Sequence, residues 1–188
     1  MPQPKLLEEV LDVLNANKID YMITGSIVSS LQGEPRATHD IDIVVNIQST
    51  SIQNLTEIFE PPQFYISKEG IGQAIKDKTM FNLIDTTEGD KIDFWILTED
   101  PFDKSRFERK YNENVYGFDM KVSAPEDTIL AKLRWSKLSG GSEKQFTDAL
   151  RVYEVQYGIL DINYINEWTK KLQITELWNS LQQKAQPL

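Results

Sequence analysis

The segment Asp40–Val45, DIDIVV, sets two carboxylates on one short run of β-branched residues. Successive side chains of a strand alternate, so Ile41, Ile43 and Val45 share one face, and Asp40 and Asp42 share the other. Carboxylates about 7 Å apart along a strand repel each other unless something positive sits between them. A pair of divalent ions meets that need, since two-metal sites hold their ions about 3.5–4 Å apart. Oxygen ligands suit Mg2+ or Mn2+ far better than zinc. An isolated D-x-D also arises where a strand end merely faces water, so the residues around it decide.

Gly25–Ser26 stands where the apolar run IDYMIT gives way to IVSSLQ, a strand running into a helix. Backbone N–H groups at a helix start bind anions, glycine lets a phosphate come close, and the serine hydroxyl adds a donor. An ordinary N-cap uses the same residues. In KIDFWIL, Ile92, Phe94 and Ile96 share the packed face, which turns Asp93 to the other side beside Trp95 and Leu97. A charge in so apolar a strand is costly without a partner. A third carboxylate there can complete a metal site or accept a proton from an attacking hydroxyl. Arg36, just ahead of the aspartates, is placed to neutralise phosphate, to pair with Asp40, or to face solvent.

The composition narrows the alternatives. The chain has 188 residues, 40% hydrophobic and 26% charged, ordinary for a globular protein that folds without staples. With no cysteine, a disulfide framework, a thiolate zinc site and a cysteine nucleophile are all excluded. The single histidine, His39, makes a histidine-rich metal site or a Ser-His-Asp triad improbable. Twenty basic against 29 acidic residues give a net charge of −9, which repels phosphate backbones on average. The start, MPQPKLLEEVLDVL, carries acidic residues inside its apolar stretch and lacks a small-residue cleavage site, and no window is long enough to span a membrane. The expected setting is the cytoplasm.

The order strand, Gly-Ser, helix, D-x-D strand, then a strand with one Asp resembles the nucleotidyltransferase superfamily related to DNA polymerase β. Its signature is h-G-S, [DE]-h-[DE]-h and h-[DE]-h, with h apolar. The matching residues are Ile23–Thr24–Gly25–Ser26, Asp40–Ile41–Asp42–Ile43 and Ile92–Asp93–Phe94, with Thr24 at a position that is usually apolar. EPRATHDIDIVV further resembles the loop and strand of small bacterial nucleotidyltransferases of the abortive-infection toxin type. Those have a helical C-terminal half bearing a K-x-R-x-x-K-like helix and a later Asp. Here KLRWSK supplies Lys132, Arg134 and Lys137, and QFTDAL supplies Asp148. Residues two apart on a helix point about 200° away from each other, so Lys132 and Arg134 cannot both face one pocket, whereas Arg134 and Lys137 can.

The resemblance implies metal-dependent transfer of a nucleoside monophosphate from an NTP to an acceptor hydroxyl, releasing pyrophosphate. Asp40, Asp42 and Asp93 would hold Mg2+ or Mn2+ and carry the chemistry. Gly25, Ser26, Arg36, Thr38, Lys132 and Asp148 would bind the nucleotide, with Lys132 reaching the triphosphate. A solvated basic stripe is the other reading of the lysine helix. The acceptors implied are a tRNA end, a protein side chain or a small molecule, and a toxin would be held silent by an antitoxin partner. A catalytically inactive nucleotide- or protein-binding module is the alternative.

The elements that must position these groups are legible as periodicities. Leu7, Val10, Leu11 and Leu14 mark an amphipathic helix over Lys5–Asn15. A helix is expected around Thr50–Phe59, stopped by Pro61–Pro62. MFNLIDT and KIDFWIL, joined by Thr87–Glu88–Gly89–Asp90, predict an antiparallel hairpin, and Lys110–Tyr116 with Phe118–Val122 predict another. A weak helix lies between them around Asp103–Glu108. SAPE reads as a capping box with Ser123 as N-cap and Glu126 three residues on. Helices follow over Glu126–Leu138, Glu143–Tyr157, Ile162–Leu172 and Thr175–Lys184, whose Trp135, Trp168 and Trp178 read as packing residues. The expected fold class is α+β: a small mixed or antiparallel sheet flanked by helices over residues 1–122, the catalytic domain, then an all-helical region over 123–188.

Overall fold

The computed structural model describes residues 4–38, 40–115 and 117–186. The chain forms two compact units, Met1–Thr24 with Ala37–Val122, and Gly25–Arg36 with Ser123–Leu188. The fold class is α+β.

The first unit is built on a mixed sheet. Its strands are β1 (Asp20–Thr24), β2 (Asp40–Asn46), β3 (Phe64–Tyr65), β4 (Met80–Asp85), β5 (Lys91–Ile96), β6 (Tyr111–Val115) and β7 (Phe118–Val122). They lie in the order β3-β4-β5-β2-β1-β7-β6. Strands β2 and β5 run parallel, as do β1 and β7, while β1–β2, β4–β5 and β6–β7 are antiparallel. One face buries Ile41, Ile43, Val45, Ile92, Phe94 and Ile96, with the rings of Phe81 and Phe94 stacked at 4.8 Å. Helix α1 (Pro4–Ala16) buries the predicted stripe Leu7, Val10, Leu11 and Leu14. On the other sheet face, Met22 and Val44 pack with Phe107 of α5 (Pro101–Glu108), beside Trp95 and Leu97.

Both predicted hairpins form. The β4–β5 turn is held by Asp85, which is buried and accepts from Thr87 N (2.8 Å), Thr87 Oγ1 (2.6 Å) and Glu88 N (3.3 Å). The helix expected from Thr50 starts later, with a tight turn at Ser49–Ser51 followed by α3 (Ile52–Ile58). Strand β3 and helix α4 (Lys68–Asp77) have no counterpart in the sequence reading. KEGIGQAIKD holds two glycines and a sparse apolar pattern, and its helix depends on Ser67, whose Oγ caps Gly70 N at 3.0 Å.

The second unit is all helical: α2 (Gly25–Gln32), α6 (Pro125–Leu138), α7 (Glu143–Val155), α8 (Ile162–Lys171) and α9 (Thr175–Lys184). Helix α2 rests on α6 and α7. Gly33 ends it where there is no room for a side chain, since an added Cβ would lie 2.8 Å from Val152 N and 2.9 Å from Arg151 C, both in the α7 backbone. The expected capping box does not form. Pro125 takes the first helical position, where its missing N–H costs nothing, and this makes Ala124 the N-cap. Ser123 Oγ instead donates to Ala124 O (3.4 Å), and Glu126 Oε1 accepts from Asp161 N (2.9 Å). Trp168 and Trp178 are buried, but Trp135 is 49% exposed and does not serve the core. Among the described residues, no helix is long and apolar enough to cross a membrane.

Candidate active site

Register brings Asp40, Asp42 and Asp93, all in the first unit, onto one face. Asp42 is the partner of Asp93 across β2–β5, Asp40 is the partner of Lys91, Thr24 faces Asp42 across β1–β2, and Asn82 faces Asp93 across β4–β5. Thr24, Asp42, Asp93 and Asn82 therefore form one polar row across four strands, with Asp40 and Lys91 in the adjacent row. Asp40 is exposed, Asp42 and Asp93 are half-buried, and the alternate residues Ile41, Ile43, Ile92 and Phe94 point into the core.

Neighbours orient the carboxylates. Trp95 Nε1 donates to Asp42 Oδ1 at 3.0 Å, Lys91 Nζ donates to Asp93 Oδ2 at 2.9 Å, and Asn82 Nδ2 donates to Asp93 Oδ1. The Lys91 ammonium is held above the ordinary lysine value. Its hydrogen bond to Asp93 is the main cause, and the charges of Asp93, Asp40 and Asp42 add to it against the cost of desolvation. Lys91, Trp95 and Asn82 were not singled out as site residues from the sequence. The strand alternation that placed Asp93 also places Lys91 two residues earlier on the same face.

The second unit gathers a different group. Gly25 opens α2 with φ 72°, the left-handed region that glycine enters without strain. Arg36 Nη2 donates to Ser26 Oγ at 3.0 Å. The same guanidinium grips Asp148 with two bonds, Nε to Oδ1 at 3.0 Å and Nη2 to Oδ2 at 2.8 Å. Lys132 Nζ reaches Asp148 Oδ2 at 2.8 Å, and these two side chains are only 6% and 8% exposed. Burial by itself would raise the Asp148 carboxyl, but the hydrogen bonds from Arg36 and Lys132 outweigh it and hold it below the usual carboxylate value. Two cations thus share one carboxylate. On α6, Lys132 is buried, Arg134 is half-buried, and Lys137 donates to Gln173 O at 2.7 Å.

Asp40, Asp42 and Asp93 are thus together on the sheet, and Ser26, Arg36, Lys132 and Asp148 are linked in the helical unit. Thr38 is half-buried in the segment leading into β2, and His39 lies outside the described residues.

The donor chemistry of the sheet face fits a hard divalent cation. Its ligands would be carboxylate oxygens alone, and an ammonium already stands against them. Among the described residues no group of three or more histidine, cysteine or acidic side chains is placed to hold a metal ion by itself. Mg2+ does not require one, since it keeps several waters and is bound through one or two carboxylates plus substrate phosphates.

No family model matches the sequence, and no curated protein matches it. Solved structures do resemble it. The antibiotic-resistance factor ANT(2'')-Ia superposes with a TM-score of 0.60 at 10% identity, over 94% of this chain and 95% of that one. The lincomycin-bound lincosamide antibiotic adenylyltransferase LnuA gives 0.55 at 14% identity, over 82% of this chain and 98% of that one. An antigenic nucleotidyltransferase-like protein from Paracoccidioides brasiliensis gives 0.50 at 17% identity, over 97% and 93%. Sheet order, carboxylate register and these likenesses converge on one conclusion: the chain has the nucleotidyltransferase fold.

Proposed function

We propose that the protein transfers a nucleoside monophosphate from an NTP to the hydroxyl of a small polar molecule, with release of pyrophosphate. The register that sets Asp40, Asp42 and Asp93 on one sheet face carries this reading. Asp40 and Asp42 would hold Mg2+, with Asp93 as a further ligand. Bound there, the metal supplies charge neutralisation of the triphosphate and a lowered pKa for the attacking hydroxyl. The acceptor oxygen forms a bond to the α-phosphorus, the bond from that phosphorus to the β-bridging oxygen breaks, and Asp93 takes the hydroxyl proton. Backbone N–H groups at Gly25 and the Ser26 hydroxyl bind phosphate oxygens. Lys132 and Arg36, held by Asp148, offset charge developing on the leaving pyrophosphate. Thr38 steadies the segment before Asp40.

The net charge of −9 favours a small, preferably cationic acceptor over RNA, whose phosphates the surface repels on average. The antibiotic adenylyltransferases of like fold act on acceptors of that size. The toxin-type role implied by sequence resemblance uses the same chemistry, and growth arrest on expression, lost in Asp42→Asn, would mark it.

The test offers each α-labelled NTP with Mg2+ to aminoglycosides and lincosamides, total tRNA and a cell protein extract in turn. Label should appear on a small molecule, at a rate little changed by added salt. Label on tRNA, with transfer falling steeply as salt rises, would overturn the acceptor class. Nucleotide binding without transfer to anything would favour a binding module.

A further inference from the structure

The sheet face that carries the aspartates also carries a positive charge which the transfer reaction does not use. Lys91 is the ladder partner of Asp40 and lies two residues before Asp93 on the same strand face. Its Nζ donates to Asp93 Oδ2 at 2.9 Å, and its side chain is 40% exposed against 13% for Asp93. Four side chains therefore form a two-by-two patch: Asp40 and Asp42 on β2, Lys91 and Asp93 on β5. Three like charges on neighbouring strands repel, and Lys91 reduces the patch from −3 to −2. A divalent cation approaching Asp93 meets an oxygen already bonded to an ammonium, and it must lie beside that ammonium or displace it.

We propose that Lys91 is a built-in counter-ion of the carboxylate patch, competing with the divalent metal for Asp93 and so setting the metal concentration at which the site fills. The proposal rests on the metal-binding reading of these aspartates. It makes Lys91 a positioning residue with two opposite effects. Without metal, the ammonium relieves carboxylate repulsion and stabilises the sheet. With metal, the same charge opposes binding. The side chain is long and nearly half exposed, so it can leave Asp93 for solvent with no change in the backbone. Lys91→Gln removes the charge and keeps a polar side chain one bond shorter, whereas Lys91→Arg keeps the charge.

Mn2+ alone, without nucleotide, is the probe, with free Mn2+ followed by electron paramagnetic resonance on the full chain. Lys91→Gln should bind Mn2+ on the order of tenfold more tightly than wild type, the size expected for removing a unit charge a few ångströms from a dication in a half-exposed site. Lys91→Arg should stay within about twofold of wild type on the same Coulomb reasoning. Melting gives a second readout with a sign reversal. In EDTA Lys91→Gln should melt below wild type, and at saturating Mn2+ it should gain more than wild type gains. A purely structural role would lower both curves equally. Binding that Asp42→Asn abolishes but Lys91→Gln leaves unchanged would overturn the counter-ion role and spare the metal site. Binding absent from every chain, or unaffected by Asp42→Asn, would overturn the metal reading and this proposal with it.

Discussion

Asp148→Asn isolates the buried ion pair at low steric cost. The carboxylate is 8% exposed and its partner Lys132 is 6% exposed, so losing the negative charge removes a 2.8 Å ion-pair contact from a low-dielectric interior. Removing one partner of a buried pair costs about 3–5 kcal/mol. Arg36 is 32% exposed, so water screens part of what its two bonds to Asp148 contribute. In a chain of 188 residues each kcal/mol lowers Tm by about 2–4 °C, which predicts a fall of about 6–20 °C. Urea unfolding should be measured for Asp148→Asn, Lys132→Met and the double variant. The double variant should be less destabilised than the sum of the singles by about 1–3 kcal/mol, because the Lys132–Asp148 contact is then lost only once. The pH dependence has a definite sign. Asp148 is depressed below its ordinary 3.8, so its contribution is fully present above that value and is lost as pH falls through the lower folded value. The gap between wild type and Asp148→Asn should therefore hold from pH 8 to 5 and close under strong acid. A loss under about 0.5 kcal/mol, strictly additive singles, or a gap that widens in acid would refute the reasoning.

Three other substitutions probe local geometry. Gly33→Ala would place a methyl 2.8 Å from Val152 N and 2.9 Å from Ser29 O, all unyielding backbone, and should cost about 1–3 kcal/mol in thermal unfolding. Gly25→Ala puts a Cβ on a residue in the left-handed region at φ 72°; it should cost about 1–2 kcal/mol and weaken NTP binding more than that loss of stability alone explains. Asp85→Ala removes an acceptor shared by Thr87 N, Thr87 Oγ1 and Glu88 N and should destabilise by about 1–2 kcal/mol at neutral pH. Hydrogen bonding from Thr87 is the main cause holding the Asp85 carboxyl low, so that difference should vanish as pH falls well below 4.

Alternation was the most informative signal in the sequence. DIDIVV and KIDFWIL each set an unbroken apolar row on one face and their aspartates on the other, beside Val44, Trp95 and Leu97, and the turn residues between MFNLIDT and KIDFWIL marked a hairpin, so the strands bearing Asp42 and Asp93 were readable. Their parallel pairing was not, because strand order depends on which apolar surfaces meet, and no local pattern records that. Helix α4 was missed since its two glycines dilute the periodicity and a single serine cap sustains it. The Ser123 capping box was misread because Pro125 fixes the start of α6 one residue later. Trp135 looked like core from its helical context, yet the side of α6 that is buried is the one bearing Lys132 and Ser136. The pairing roles of Lys91 and Trp95 were not legible for a simple reason: a lysine at a strand start and a tryptophan in an apolar run are ordinary until register sets them against carboxylates.

The most direct test of the central claim compares wild type and Asp42→Asn for pyrophosphate release from NTP with Mg2+ and the acceptor that labelling identifies, each chain's Tm measured alongside. Asp42 lies on the polar face, with Trp95 as a hydrogen-bond neighbour, so the variant should melt within about 5 °C of wild type, the loss of one hydrogen bond. Its turnover should fall by about a thousandfold or more, the scale of losing an electrostatic group at the reacting phosphorus. Near-normal pyrophosphate release from a folded Asp42→Asn chain would contradict the account.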